Sequence, residues 1–454
     1  MTTRQQLCVL RCLFLCAVIF PLVGTVPLFA QQRGGILVNP NGVLSRYTHL
    51  DVGNQLAVRQ VNAAKASYSL ANDVSAKSPM RCVSLNRLEK SIIAANGTIT
   101  EEMKYLAGIQ RITHVFYFAD SKDIVIAGPA EGWFPGYEGA MIGVETLQPV
   151  CELQHLITAL RAYAPNGDGA GIVGCSIDPT PEGIARLETF TARSTRLTRP
   201  QFVQGVRNNI GMQVIQVDGV PATTHAAQMM VAADYRMKRI GLGLDTIRVP
   251  GLETFIDHTV PGASNALFRW YFVPDYDSVT LTEDRTGMEL VGDGVKLIGE
   301  NEVVVAGQRM AAEGALDPGS QAFTQSFTKQ YPHIAKQALV FAQLRNWIDM
   351  LICAAHIQRE DFYGQSGWSM EFFGSEEKYP LETFVAPRTV APVVGQRVVR
   401  PNLALTPVGG GIVIDAELAL DEENAKLDKD GKIAERQKQI TLNLPENAWW
   451  WDVR

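Results

Sequence analysis

The sequence predicts an α+β fold of mixed α/β character: a helix-flanked mixed sheet, then an antiparallel meander, a long helix and an extended C-terminal tail. Two patterns support this prediction. In residues 80–200, β-rich runs alternate with apolar stripes of helical period, which is typical of sheets covered by helices. In residues 268–305, short strand-like runs follow one another with turns between them, which favours antiparallel strands.

Residues 80–200 form the first predicted domain, an α/β unit. Ser84 and Thr100 stand where each can cap a helix. The runs ITHVFYFA and DIVIAG then predict a β-hairpin, and GIVGCSID predicts a buried strand. Pro181 follows the cap Thr180, which indicates the first turn of another helix.

Residues 201–360 form the second predicted domain, an α+β unit with a long helix. The run THAAQMMVAADYRMKRIG predicts an amphipathic helix with an apolar stripe, and Asp234 precedes Lys238 by four positions, as in an exposed ion pair. The meander follows. A long helix that begins near Pro332 then carries a continuous apolar face from Ile334 to Ala355.

The two ends of the chain have weaker patterns. Residues 31–79 are expected to be an N-terminal extension or linker. Residues 361–454 are expected to be an extended, charged tail that ends in three adjacent tryptophans at 449–451. Those tryptophans are candidates for docking on the body of the protein or on a partner.

Residues 1–30 have the layout of a secretory signal peptide. Arg4 and Arg11 supply the positive start, an apolar run follows at 12–20, and Ala30 is a plausible cleavage point. An uncleaved membrane anchor is the alternative. We therefore expect an exported protein, periplasmic or extracellular after cleavage near Ala30. No later segment approaches the roughly 20 apolar residues of a membrane span.

Charge and cysteine content restrict the partners and the compartment. The formal net charge is −6, which argues against nucleic acid and anionic membrane surfaces as partners.

Four cysteines lie beyond the predicted signal peptide, and in an oxidising compartment they could form two disulfides. The alternative is that they are buried small apolar side chains. These cysteines are Cys82, Cys151, Cys175 and Cys353.

The common catalytic and cofactor motifs are not found in the sequence. It contains no Walker loop, GxGxxG, HExxH, GxSxG or SxxK motif, and no CxxC pair. The seven histidines are scattered without obvious metal-ligand spacing. The sequence therefore predicts no metal site and no cofactor.

Two groups of residues are weak candidates for a site. Cys175 and His114 both lie on predicted strands, and a thiolate beside an imidazole is an activated nucleophile. The second group lies in the glycine-rich stretch AGPAEGWFPGYEG, where two carboxylates flank aromatic rings as they do in carbohydrate sites. Its members are Glu131, Trp133, Tyr137 and Glu138.

Four motifs carry a resemblance to a known family. The stretches IVIAGPAEGW, CSIDPTPEG, ADYRMKRIGLGL and TPVGGGI occur in this order after the predicted signal peptide. As a set they resemble a family of exported proteins of unknown function typical of planctomycete bacteria, over about residues 80–415. The resemblance implies an envelope or extracellular location, and it assigns no activity and no catalytic residues.

The interpretation that these observations favour is an exported, non-enzymatic protein that binds a partner or a component of the cell envelope. The alternative is an exported hydrolase, based on cysteine or on carboxylates, whose active site has no recognisable motif. The sequence itself names neither a substrate nor a particular partner.

Overall fold

The fold is known from a computed structural model, which describes residues 30–52, 55–67, 70, 72–136, 139–194, 197–258, 266–305, 308–311, 317–399, 402–440 and 448–453. Helices and strands together confirm the α+β class, with mixed and antiparallel sheets. The predicted signal peptide lies outside the described residues except for Ala30.

The strands occupy, in chain order, the following residues: β1 Ala30–Val38, β2 Val43–Val52, β3 Ser78–Ser84, β4 His114–Phe118, β5 Asp123–Ala130, β6 Trp133–Pro135, β7 Met141–Gly143, β8 Ile172–Asp178, β9 Gln213–Asp218, β10 Ala266–Asp275, β11 Ser278–Leu281, β12 Gly287–Val291, β13 Gly294–Val305, β14 Gln308–Ala311, β15 Thr389–Val390, β16 Val394–Val399, β17 Asn402–Asp415, β18 Ala425–Leu427 and β19 Trp450–Asp452.

The helices occupy, in chain order, the following residues: α1 Gln55–Ser67, α2 Asn72–Ser75, α3 Leu85–Ala94, α4 Glu101–Lys104, α5 Leu153–Ala162, α6 Pro181–Arg193, α7 Arg199–Ile210, α8 His225–Gly241, α9 Phe255–His258, α10 Pro318–Lys329, α11 Tyr331–Gln337, α12 Leu339–Arg359, α13 Phe362–Ser366, α14 Ala416–Ala419 and α15 Lys432–Gln439, with a short 3-10 helix at Leu106–Gly108.

The larger sheet has ten strands. Its order is β1-β2-β15-β9-β8-β17-β10-β13-β14, and β16 also pairs with β17. Strand β17 lies in the middle, antiparallel to β8 and parallel to β10. Helix α8 packs on β8 and β17. This sheet therefore joins strands from both ends of the described chain.

The smaller main sheet has seven strands, in the order β18-β11-β12-β4-β5-β3-β19. The predicted hairpin of residues 112–127 is present as β4 and β5, which pair antiparallel. Strand β19 pairs with β3 and places Trp451 opposite Cys82. The guanidinium of Arg81 lies 4.7 Å from the centre of the Trp450 ring. The terminal tryptophans thus dock on the body of the protein.

The strands predicted over 268–305 are present but do not form one meander. Strands β10 and β13 pair with each other in the larger sheet, whereas the hairpin β11–β12 joins β4 in the smaller sheet. The segment 361–454, predicted as an extended tail, supplies strands to both sheets. Local patterns indicate strands, but they do not show which distant edge each strand joins.

The predicted long helix is divided in two. Its chain direction bends by 119° between α11 and α12, at Ala338. Helix α12 is buried along nearly its whole length and packs against α5, α8 and α14. In the described part of the chain, no single helix has both the length and the apolar composition to cross a membrane, although the bent pair α11–α12 passes that test jointly.

Candidate functional site

Helix α8 organises the polar interior of the protein. Thr224 caps it, and its Oγ1 accepts a hydrogen bond from Ala227 N at 3.2 Å. The predicted apolar stripe is buried, from Ala226 to Ile240. Two other sides of α8 carry charged side chains, which we call the sheet face (Asp234 and Lys238) and the cavity face (His225, Gln228, Met229, Ala232, Tyr235 and Arg236).

On the sheet face, the ion pair of Asp234 and Lys238 is buried, with side-chain exposures of 0% and 1%. The sequence prediction of an exposed pair was wrong. Lys238 Nζ lies 2.8 Å from Asp234 Oδ2, and it also donates to the carbonyl oxygens of Ile177 and Gly410 at 3.1 and 2.9 Å. An ammonium group has three donors, and all three are used. Burial raises the pKa of Asp234 to about 7, against the opposing effect of Lys238.

Glycines in β17 make this close packing possible. Gly410 has φ +110°, and a Cβ atom there would lie 2.1 Å from the carbonyl oxygen of Trp270. A Cβ atom on Gly411 would lie 1.8 Å from the carbonyl oxygen of Cys175. Three of the four motifs found in the sequence, CSIDPTPEG, ADYRMKRIGLGL and TPVGGGI, therefore meet at Lys238.

The cavity face borders a cavity of about 170 Å³. The cavity lies between β1–β2, α8, the start of α12 and Gly139, which is the last residue of the glycine-rich stretch. It is lined by both polar and apolar side chains: Gly35, Ile36, Arg46, Gly139, His225, Gln228, Met229, Ala232, Tyr235, Arg236, Val340 and Gln343.

Two arginines of the cavity share one buried carboxylate. Arg46 Nη2 lies 2.9 Å from Asp245 Oδ2, and Arg236 Nε lies 3.4 Å from the same oxygen. The Asp245 side chain is fully buried and that of Arg46 is 10% exposed. Burial lowers the pKa of Arg46, and the nearby Arg239 and Arg236 lower it further, against the opposing effect of Asp245.

These buried charges are incompletely paired. Among the described residues, Arg46 Nη1 and Asp245 Oδ1 have no hydrogen-bond partner. A buried charged group without a partner is costly. Since Arg46 lines the cavity, a ligand placed there can supply the missing acceptor.

A second polar group, the His–Glu cluster, adjoins the cavity through His225. It consists of Glu152, His155 and His225. His155 Nε2 lies 2.8 Å from His225 Nδ1, which lies 3.8 Å from Glu152 Oε2. One ligand atom from each residue lies within 4.8 Å of those of the other two. The spacing of the histidines in the sequence does not by itself indicate this cluster.

The protonation states of this cluster follow from burial and from the neighbouring groups. Burial lowers the pKa of His155 to about 4, against the opposing effect of Glu152. Burial alone would raise the pKa of Glu152, but His155, His225 and the hydrogen bond from Gln154 together lower it. At neutral pH, His155 is therefore neutral and Glu152 is ionised.

The sequence contains one signal that could have found this cluster. Glu152 is the residue immediately before α5 and His155 lies in the first turn of that helix, so two possible metal ligands stand three positions apart in the sequence. Their partner His225 lies 70 residues further along the chain. No local spacing could reveal it.

The structure does not bring Cys175 and His114 together. Cys175 lies on β8 in the larger sheet, is 3% exposed, and has a pKa raised by burial. His114 lies on β4 in the smaller sheet, where its Nε2 is 3.1 Å from Glu289 Oε1. These surroundings do not produce a thiolate next to an imidazole.

The candidates of the glycine-rich stretch are divided. Glu131 and Trp133 are buried, with exposures of 2% and 1%. Glu131 Oε1 accepts hydrogen bonds from Gln110 Nε2 at 2.7 Å and from Thr146 N at 2.9 Å, so it holds two loops together. Tyr137 and Glu138 lie outside the described residues. Neither Glu131 nor Trp133 lines the cavity.

The four cysteines beyond the predicted signal peptide are buried, free thiols. They are Cys82 on β3, Cys151 just before α5, Cys175 on β8 and Cys353 on α12. Burial raises the pKa of Cys82 to about 12 and raises those of the other three as well. In this structure they are small apolar side chains of the core rather than cross-links.

Comparison with known proteins gives one match. Residues 175–255 match the profile of a family described as a protein of unknown function (DUF1598). No curated protein and no solved structure matches the chain. The matched segment runs from β8 through α8 to α9, and it contains the CSIDPTPEG and ADYRMKRIGLGL motifs. It thus includes both charged faces of α8.

Proposed function

We propose that this protein is an exported, non-enzymatic binding protein, and that its ligand is a small carboxylate held in the cavity beside α8. The observation that carries the proposal is Arg46. Its side chain is nine-tenths buried, it lines the cavity, and its Nη1 has no partner among the described residues. An arginine fork matches the two oxygens of a carboxylate.

The size and lining of the cavity restrict the ligand. A cavity of about 150 Å³ holds a molecule the size of benzene, and this one has about 170 Å³. Ile36, Met229 and Val340 give one part of the wall an apolar character. The ligand is therefore a monocarboxylate with a short apolar body, such as butyrate, rather than a sugar or a nucleotide.

Isothermal titration calorimetry tests this proposal with acetate, butyrate, succinate and inorganic phosphate as probes. We expect butyrate to bind one molecule per chain. R46M should weaken binding by about 10- to 100-fold, because a hydrogen bond to a charged group contributes about 1.5–3 kcal/mol. R207M is the matched control, since Arg207 is exposed on α7. Binding of phosphate alone, or equal binding by R46M, would contradict the proposal.

Export is supported by the sequence of residues 1–30. An exported protein meets the solutes of the envelope and its surroundings, so we expect the natural ligand among the small carboxylates of that compartment. Mass spectrometry of the native protein tests the location. A chain that begins near Gln31 is expected, and recovery of an intact Met1 from the native source would contradict cleavage.

A hydrolase is the second candidate, and one observation favours it. The His–Glu cluster has two imidazoles and a carboxylate next to the cavity, an arrangement that also occurs in zinc hydrolases. The test is turnover of a short-chain ester such as nitrophenyl butyrate in the presence of zinc. Turnover that is lost in E152Q favours the hydrolase, whereas butyrate binding without ester turnover favours the binding protein.

A further inference from the structure

We infer that the His–Glu cluster is a binding site for one divalent transition-metal ion of the zinc class, with Glu152, His155 and His225 as its ligands. This inference goes beyond carboxylate binding, because the ion would be bound whether or not the cavity holds a ligand. It rests on the convergence of three ligand side chains at the N-terminal ends of two helices that are distant in the sequence.

Two of the three separations between ligand atoms are close to those of a tetrahedral site, and the third is at most 4.8 Å. Zinc–nitrogen bonds are about 2.0–2.1 Å long, so two ligand atoms of a tetrahedral site lie about 3.4 Å apart. The imidazole nitrogens of His155 and His225 are 2.8 Å apart, and His225 Nδ1 is 3.8 Å from Glu152 Oε2. One gap must widen and the other must narrow, each by about half an ångström.

The cluster can make that adjustment because one ligand is more exposed than the other two. His225 is the first residue of α8, and its side chain is 31% exposed. Its ring stacks on His155 with centres 4.9 Å apart, and lies 5.5 Å from the Phe384 ring. His155 is buried beside Trp347. A rotation of His225 therefore opens the site without disturbing the core.

The ligand set selects the kind of ion. Two imidazoles and one carboxylate suit zinc, cobalt and nickel, whereas calcium and magnesium prefer oxygen ligands throughout. Three protein ligands leave a fourth position for water or for an added ligand. His225 also lines the cavity, so this fourth position can face the cavity.

A neighbouring side chain orients the carboxylate. Gln154 Nε2 donates a hydrogen bond to Glu152 Oε2 at 2.6 Å. Such outer contacts fix the orientation of metal ligands, and their loss typically weakens metal binding by about 10- to 100-fold. Gln154 is thus a positioning residue, whose substitution should weaken zinc binding without abolishing it.

The experiment is a titration of the chelator-treated, purified protein with zinc and, separately, with cobalt. Zinc is expected to bind one ion per chain, and cobalt should give the strong visible absorption of a four-coordinate site. H225Q and E152Q should lose this stoichiometric binding, and Q154L should bind zinc about tenfold more weakly. The matched control is H258Q, which breaks a surface His–Glu contact of 2.6 Å with Glu253.

The zinc-binding and stability measurements on the variants show whether the inferred site is correct. H225Q changes a partly exposed side chain, so its circular dichroism melting curve should match that of the unaltered protein. Retained zinc binding by folded H225Q, loss of binding in H258Q, or no zinc binding by the unaltered protein would overturn the inference. R46M should bind zinc normally even though it binds butyrate about 10- to 100-fold more weakly. Failure of the carboxylate proposal is therefore distinguishable from failure of this one.

Discussion

The two charged faces of α8 lie close together in sequence but differ in how their charges are paired. Arg236 on the cavity face and Lys238 on the sheet face are only two positions apart, which places them on different sides of a helix. Lys238 uses all three of its donors on Asp234, Ile177 and Gly410. On the cavity side, Arg46 and Arg236 share the single carboxylate of Asp245, and Arg46 Nη1 has no partner among the described residues.

This difference separates a structural role from a binding role. A buried cation with a complete set of partners stabilises the arrangement that provides them, and it has no donor left for a ligand. A buried cation with an unused donor, beside a cavity, needs an acceptor from outside the fold. The sequence shows Lys238 and Arg46 alike as basic residues, and only the packing tells them apart.

The largest expected effect is on the sheet face. K238M leaves Asp234 buried without its cation and should lower the free energy of unfolding by about 3–5 kcal/mol. Urea denaturation at pH 8 measures this loss. The double variant D234L/K238M removes both charges and should recover most of the stability. If the double variant is as unstable as K238M, the broken ion pair is not the cause of the lost stability.

The next effect tests the carboxylate on the cavity side. D245N removes the counter-charge that Arg46 and Arg236 share and should cost about 3 kcal/mol of stability. Butyrate can replace the lost carboxylate, so it should stabilise D245N more than it stabilises the unaltered protein. Thermal melting with and without butyrate measures this difference. Equal stabilisation of the two proteins would show that the ligand does not bind near Asp245.

A smaller effect concerns the pH dependence of stability, which tests the role of Asp234 on the sheet face. Burial raises the pKa of Asp234 to about 7, above its ordinary value of about 3.9. The stability that this group contributes is therefore complete below about pH 4, and it is lost as the pH rises through 7. Lys238 lowers this pKa, so K238M should raise it further. The stability cost of K238M should then be about 1 kcal/mol larger at pH 8 than at pH 5.

That pH comparison has an internal control. In the background of D234N, the cost of K238M should not vary with pH, because the titrating carboxylate is absent. Urea denaturation at pH 5 and pH 8 provides the measurement for each variant. A cost of K238M that decreases towards high pH would contradict the assignment of the pH dependence to Asp234.

The smallest effect on stability is expected for R46M. In this variant Asp245 would still have Arg236 as a charged partner, at 3.4 Å. The methionine side chain would fill most of the volume that the arginine stem occupies. R46M should therefore lie within about 1 kcal/mol of the unaltered protein in urea denaturation, although it should bind butyrate about 10- to 100-fold more weakly. A loss of more than about 3 kcal/mol would give Arg46 the same structural role as Lys238 and would remove the contrast between the two faces.

Much of the local structure could be predicted from the sequence. The cap Thr224, the buried stripe of α8 and the hairpin β4–β5 follow from patterns within a few residues. The sheet order could not be predicted, because β17 at residues 402–415 lies between β8 and β10, far earlier in the chain. The division of the predicted meander between two sheets could not be predicted either, because it also depends on pairing with strands that are distant in the chain.

The sites depend on long-range contacts even more strongly. Arg46 on β2 meets Asp245, which follows α8 much later in the chain, and His155 meets His225 across 70 residues. The pair of Asp234 and Lys238 was visible as a spacing, but its burial depends on the absence of a Cβ atom at Gly410. Composition and spacing identify charged residues, whereas burial and pairing decide what those residues do.

The most direct test of the account is a crystal structure of the protein grown with butyrate. We expect the butyrate carboxylate in the cavity beside α8, within hydrogen-bond distance of the Arg46 guanidinium, with the alkyl chain against Ile36, Met229 and Val340. Lys238 should keep its three contacts unchanged. A cavity that contains only water, or that is filled by a side chain of the protein itself, would contradict the account.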